Sequence, residues 1–204
     1  MKCNKYLIIV GKCSIINTCN KSAEPGQNRN IAALTFNFYV HIFFGDNMKD
    51  KYIKVALEEA KIAYDLNEVP VGAVIVKDYE IIAKSHNLKK STNSITNHAE
   101  IISIIEASSY VGDWRLNDCE LYVTLEPCLM CCGAIIASRL KKVYFGAFDK
   151  NYGCAGSKYD FLYDKSYECL IEHEGGILES ECKKLITDFF QKIRKTKRKG
   201  KIRK

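Results

Sequence analysis

The chain has 204 residues, 47% of them apolar, ten cysteines and a formal net charge of +7. That is enough for one core and too little for a second full domain, and no run reaches the roughly 18 apolar residues of a membrane span. The charge is uneven: Gln191–Lys204 holds nine Lys/Arg and no acid, so the rest of the chain, taken from +7, carries −2.

Residues 1–47 form the least informative stretch. The apolar patch Tyr6–Val10 is too brief for a signal peptide or a span. Cys3, Cys13 and Cys19 lack metal spacing, and the aromatic run Phe36–Phe44 has no clear partner. The segment is expected to be a dispensable extension, with Met48 able to serve as an initiator. An organelle-targeting role is the rival, and the few Arg and Ser argue against it.

From Met48 the pattern is regular. Tyr52, Val55, Ala56, Ala60 and Ala63 recur at helical spacing. Val69–Val76 suits a buried strand, and Lys77–Tyr79 turns it into a partner, Glu80–His86. A helix is predicted over Asn97–Ala107, then a strand Glu120–Leu125, a helix Cys128–Leu140 and a strand Lys142–Phe148. A fifth strand near Cys169–Glu174 and a helix from about Ser180 complete the series. Alternating strands and helices predict a layered α/β domain over residues 48–190. The basic stretch 191–204 reads as a solvated, disordered arm, some of which bind nucleic acid.

The chemistry lies in His98-Ala99-Glu100 and Pro127-Cys128-Leu129-Met130-Cys131. His98, Cys128 and Cys131 supply three metal ligands, the number that catalytic zinc takes when it keeps a position for water. Glu100 is left beside that water as an acid/base. At the start of a helix Cys128 and Cys131 share one face, and Pro127 suits the step into it. His98 and Glu100, two apart, can both reach an object off the end of the following helix. Two helix N-termini would then offset the net charge of −1 on Zn²⁺ with two thiolates and a hydroxide.

Other readings stand beside this one. A lone Cys-x-x-Cys also serves structural zinc knuckles and redox pairs. A second pair is missing, since Cys132 overlaps the same turn, and a dithiol leaves His98 and Glu100 unexplained. Tyr122, Thr124 and Glu126 read as scaffold, and His86 and His173 as structural or surface residues. Asn87 alone could be a turn residue. The cysteines cluster around the metal motif without a convincing signal peptide, which predicts a reducing, cytoplasmic setting.

The two motifs join a longer series. It comprises Val69-Pro70-Val71-Gly72-Ala73, Asn87, Leu121-Tyr122-Val123-Thr124-Leu125-Glu126, Ser138-Arg139 and Val143–Ala147. It ends in Ala155-Gly156-Ser157, Gly176-Ile177-Leu178, Glu181-Cys182 and Phe189-Phe190. In these the chain resembles the cytidine/deoxycytidylate deaminase superfamily and, within it, the bacterial-type tRNA-specific adenosine deaminases, over about Met48–Arg194. The zinc motif points to the superfamily, while Ala-Gly-Ser and the Glu-Cys to Phe-Phe helix point to the tRNA branch.

The resemblance implies a three-layer cytidine-deaminase-like fold, a five-stranded mixed sheet flanked by helices. It implies one Zn²⁺ per subunit on His98, Cys128 and Cys131, with zinc hydroxide attacking C6 of adenine. Glu100 would carry the proton from water to N1 and then to the departing amine. The implied substrate is the wobble adenosine of a tRNA anticodon loop, converted to inosine, in a homodimer. Asn87, Ala99, Asp149 and Phe190 are the implied substrate-binding residues, with Asp149–Ser157 lining the RNA channel. Phe148 departs from the charged residue that relatives often carry there, and an aromatic ring could stack on a base. Two alternatives remain: a deaminase of free guanine, cytosine or deoxycytidylate, and a zinc subunit that only binds RNA. Intact Glu100 speaks against the latter.

Overall fold

The computed structural model describes residues 48–164 and 170–202, with side chains to residue 196, and the backbone of two short strands nearer the start. The chain divides into two compact units, Met1–Gly45 and Asp46–Lys204. In the first, β1 (Ile8–Val10) pairs antiparallel with β2 (Cys13–Ile15). The rest of residues 1–47 lies outside the described residues, as do 165–169.

The second unit opens with helix α1, running through residues 48–65. Its apolar stripe buries Tyr52, Ile53, Ala56, Leu57, Ala60 and Ala63. β3 (Gly72–Lys77) and β4 (Glu80–His86) follow as a hairpin. Its two turn residues, Asp78 and Tyr79, both adopt positive φ (50° and 67°), the conformation that matches strand twist in two-residue turns. α2 (Ala99–Val111) is closed by Gly112 at φ 76°, whose N–H returns to the Ser108 carbonyl. β5 (Cys119–Leu125), α3 (Leu129–Ala137), β6 (Lys142–Ala147), β7 (Glu172–Glu174) and α4 (Glu179–Ile202) complete the unit.

The five strands lie in the order β4-β3-β5-β6-β7. β3 is antiparallel to both neighbours, whereas β5, β6 and β7 run parallel. β3 is buried on both faces, so its side chains divide by alternation. Ala73 and Ile75 join Ile104, Ala107 and Ile135 of α2 and α3, while Val74 and Val76 join Tyr52, Ile53 and Ala56 of α1 and Cys182 of α4. The result is the expected three layers.

Element ends shift from the sequence reading for local reasons. β3 begins at Gly72 rather than Val69, because Pro70 has no N–H for a ladder. α3 stops at Ala137, before Arg139 at φ 56°. Of the strand expected near Cys169–Glu174, Cys169 lies outside the described residues and the described part is paired over Glu172–Glu174. The largest difference is α4, a continuous helix to Ile202 through the basic stretch read as a disordered arm. Two of its three acids, Glu179 and Glu181, sit in the first turn and its run of Lys and Arg lies toward the far end, the polarity that a helix dipole favours.

Candidate active site

The parallel half of the sheet sends β5 into α3, and the hairpin sends β4 through a loop into α2. Both helices begin at the same corner. His98 is the N-cap of α2 and Cys128 the N-cap of α3, each in extended backbone and neither capping its helix with its side chain. Freed from capping, both side chains turn to one point, and Cys131 joins them from the first turn of α3.

The three donor atoms form a near-equilateral triangle. His98 Nδ1 lies 3.7 Å from Cys128 Sγ and 3.6 Å from Cys131 Sγ, and the two sulfurs are 3.6 Å apart. With zinc–sulfur bonds of about 2.3 Å and zinc–nitrogen bonds of about 2.0 Å, tetrahedral angles set two sulfurs about 3.8 Å apart and sulfur from nitrogen about 3.5 Å. The triangle therefore fits a tetrahedral zinc with a fourth position left over. No other trio among the described residues offers ligand atoms so grouped. Contact with Cys131 and then His98 pulls the Cys128 thiol below its ordinary value, and the same contact pushes that of Cys131 up; a bound cation is what makes both sulfurs thiolates.

Glu100 sits in the first turn of α2, 4% exposed. Its Oε2 is the one buried side-chain N or O without a hydrogen-bond partner among the described residues. Burial pushes its carboxyl above the usual carboxylate range. An orphaned buried acceptor is costly to a fold and marks a place for a ligand. Cys132, by contrast, turns away: fully buried, its Sγ faces the carbonyls of Pro127 and Cys154.

Two loops form the rim. Asn87, just after β4, is buried, and its Nδ2 donates to Glu68 Oε2 at 3.5 Å. Glu68 also accepts the N–H groups of Lys90 and Ser91 and the Ser91 hydroxyl. Desolvation opposes its charge, yet these donors hold its carboxyl below the ordinary range. The second loop carries Asp149, whose Oδ1 accepts the N–H groups of Asn151 and Tyr152, at 2.9 and 3.2 Å. That loop is held by Glu126.

The other expected substrate residues are dispersed. Ala99 is fully buried as the first residue of α2, its carbonyl accepting the hydroxyls of Ser85 and Ser103. Phe190 is 42% exposed on α4, edge-on to Phe189, which is buried against Tyr64. Phe148 is half-exposed against Phe145. His86 bonds to Glu59 and His173 pairs with Asp160, consistent with structural roles. Sequence reading missed Glu68 altogether and saw Glu126 only as scaffold; their partners lie some 20 to 30 positions away along the chain, beyond any local pattern.

Comparisons agree with the geometry. Residues 46–147 match the cytidine and deoxycytidylate deaminase zinc-binding region. The chain is 46% identical over 147 residues to the tRNA-specific adenosine deaminase of Bacillus subtilis, a match covering 72% of this chain and 91% of that one. It is 44% identical over 146 residues to that of Aquifex aeolicus, covering 72% and 96%. A chain solved in studies of A-to-I editing by tRNA:A34 deaminases at the wobble position of transfer RNA superposes with TM-score 0.64 at 38% identity, covering 66% of this chain and 98% of that chain. This chain belongs to the zinc-binding cytidine and deoxycytidylate deaminase family, among the tRNA-specific adenosine deaminases.

Proposed function

We propose that the chain hydrolyses adenosine to inosine at the wobble position of a tRNA. The observation that carries the chemistry is Glu100, a buried carboxylate with a free oxygen beside three ligand atoms arranged for zinc. The substrate is supported by the tRNA-specific relatives, which are covered almost end to end.

When bound on His98, Cys128 and Cys131, zinc brings the pKa of a water toward neutrality. Glu100 accepts a proton from the water that attacks C6 and passes it to N1 of adenine. It then takes the remaining proton from the new C6 hydroxyl and delivers it to the exocyclic amine, so that the C6–N bond breaks, ammonia leaves and a C6 oxo group remains. The raised carboxyl pKa suits a group that must both take and return protons.

An anticodon loop presents unpaired bases that can be splayed into such a corner. Asn87, Ala99, Asp149 and Phe190 are proposed as the substrate-facing residues. The cations of α4 beyond residue 190 are proposed to meet phosphates, adding to the salt dependence of binding a slope of order −3 if about half of them engage. Exposed Ile105, Tyr110 and Leu129 on α2 and α3 support a homodimer; light scattering that shows only monomer at micromolar concentration counts against it. Residues 48–190 are proposed as the deaminase body, active in the cytoplasm without residues 1–47. No described helix is long and apolar enough to cross a membrane.

The test is mass analysis of tRNA after incubation with the zinc-loaded protein, seeking one amino-to-oxo exchange at a single adenosine. Turnover of free guanine, cytosine or deoxycytidylate in place of tRNA would overturn the substrate.

A further inference from the structure

We propose that Glu126 is a positioning residue that holds the Asp149–Ser157 loop in its substrate-binding shape, an inference that rests on the tRNA reading above. Glu126 is 2% exposed, and among the described residues no Lys or Arg pairs with it. One loop meets its charge instead. Oε2 accepts the Asp149 N–H at 2.9 Å and the Ser157 hydroxyl. Oε1 accepts the N–H groups of Ala155 and Ser157 at 3.1 and 2.9 Å. Gly153 lies directly on the carboxylate, where an added Cβ would collide with Glu126 Cδ and Oε2.

The same short segment carries a metal ligand. The Cys154 N–H donates to the Pro127 carbonyl at 2.9 Å, and Cys128 forms a β-bridge with Gly153. Residues 126–128 thus deliver Cys128 to the metal corner and fasten the loop beside it. What the loop and the two residues after it display is aromatic and cationic: exposed Tyr152 and Lys150 within it, then Lys158 and Tyr159. Flat rings and ammonium groups suit unpaired bases and phosphates. A loop already held in shape loses less entropy when it binds. Glu126 is not among the three grouped ligand residues; it acts through the loop.

Glu126→Gln keeps the shape but turns one acceptor into a donor facing donors. In the zinc-loaded full chain, amide hydrogen exchange should quicken at Asp149, Ala155 and Ser157 and stay unchanged across the sheet. Zinc should remain at one per chain. KM for tRNA should rise about 10- to 100-fold, the factor of one hydrogen bond to a charged group, with kcat held to about threefold. Ser157→Ala, which removes only the hydroxyl bond, should give a smaller rise of the same kind and serves if Glu126→Gln fails to fold. Faster loop exchange with unchanged KM would overturn the proposal, as would a fall in kcat that follows zinc loss. Parent protein that makes no inosine in tRNA would instead refute the substrate reading.

Discussion

Glu100 and Glu126 are both buried glutamates at the Cys128 corner, and they are satisfied in opposite ways. Glu126 spends its lone pairs on three backbone N–H groups and a hydroxyl. Glu100 leaves Oε2 without a partner among the described residues. Burial costs a carboxylate several kcal/mol unless donors replace the lost water. A fold that satisfies one carboxylate and leaves its neighbour short has assigned them different work: the rim is built for stability, the metal corner for chemistry. Glu68, with its own set of loop donors, sides with Glu126.

The most severe way to test that division is to remove a ligand. Cys131→Ala should strip zinc, abolish deamination and lower the melting temperature together, because metal binding is coupled to folding. Metal analysis and calorimetry read both; retained zinc at one per chain would show that the triangle is not the site.

Glu100→Gln should divide function from stability. Turnover should fall by at least about 10²–10⁴-fold, the usual range for a general acid–base group, with zinc still bound. Since no hydrogen bond to Oε2 from the described residues is lost, the melting temperature should hold or rise. A clear drop in melting temperature would break the comparison.

Glu68→Gln should show its effect through pH. The folded carboxyl lies below its unfolded value, so the stability it adds is present above the unfolded pKa, about 4.3, and is lost as pH falls through the folded one. The melting-temperature gap between parent and variant should therefore be widest near neutrality and close in acid. A gap that widens toward low pH would reverse the assignment.

The smallest effect is expected at Cys132. Its thiol faces two carbonyls and the core rather than the metal, so Cys132→Ala should cost about 1 kcal/mol and keep full zinc. Loss of zinc in this variant would mean that the register of α3 is misread.

Much of the molecule was legible along the chain because its signals are local. Cys128 and Cys131 declare a shared helix face by their spacing, His98 and Glu100 flank a helix start, and the apolar runs at Val74 and Val143 mark strands. The continuous α4 was not legible, since a run of cations reads as solvated chain until the packing of Cys182 and Phe189 extends a helix from its other end. Sequence by itself determined the ligand types, their spacing and the presence of an acid/base. Tertiary structure alone decided which buried carboxylate is satisfied and which is left open. Glu68 finds Ser91, and Glu126 finds Ala155 and Ser157, only after strand pairing brings their loops to one corner. Hydrogen bonds are short and directional, and which donors reach a carboxylate depends on that long-range register, which no local spacing records.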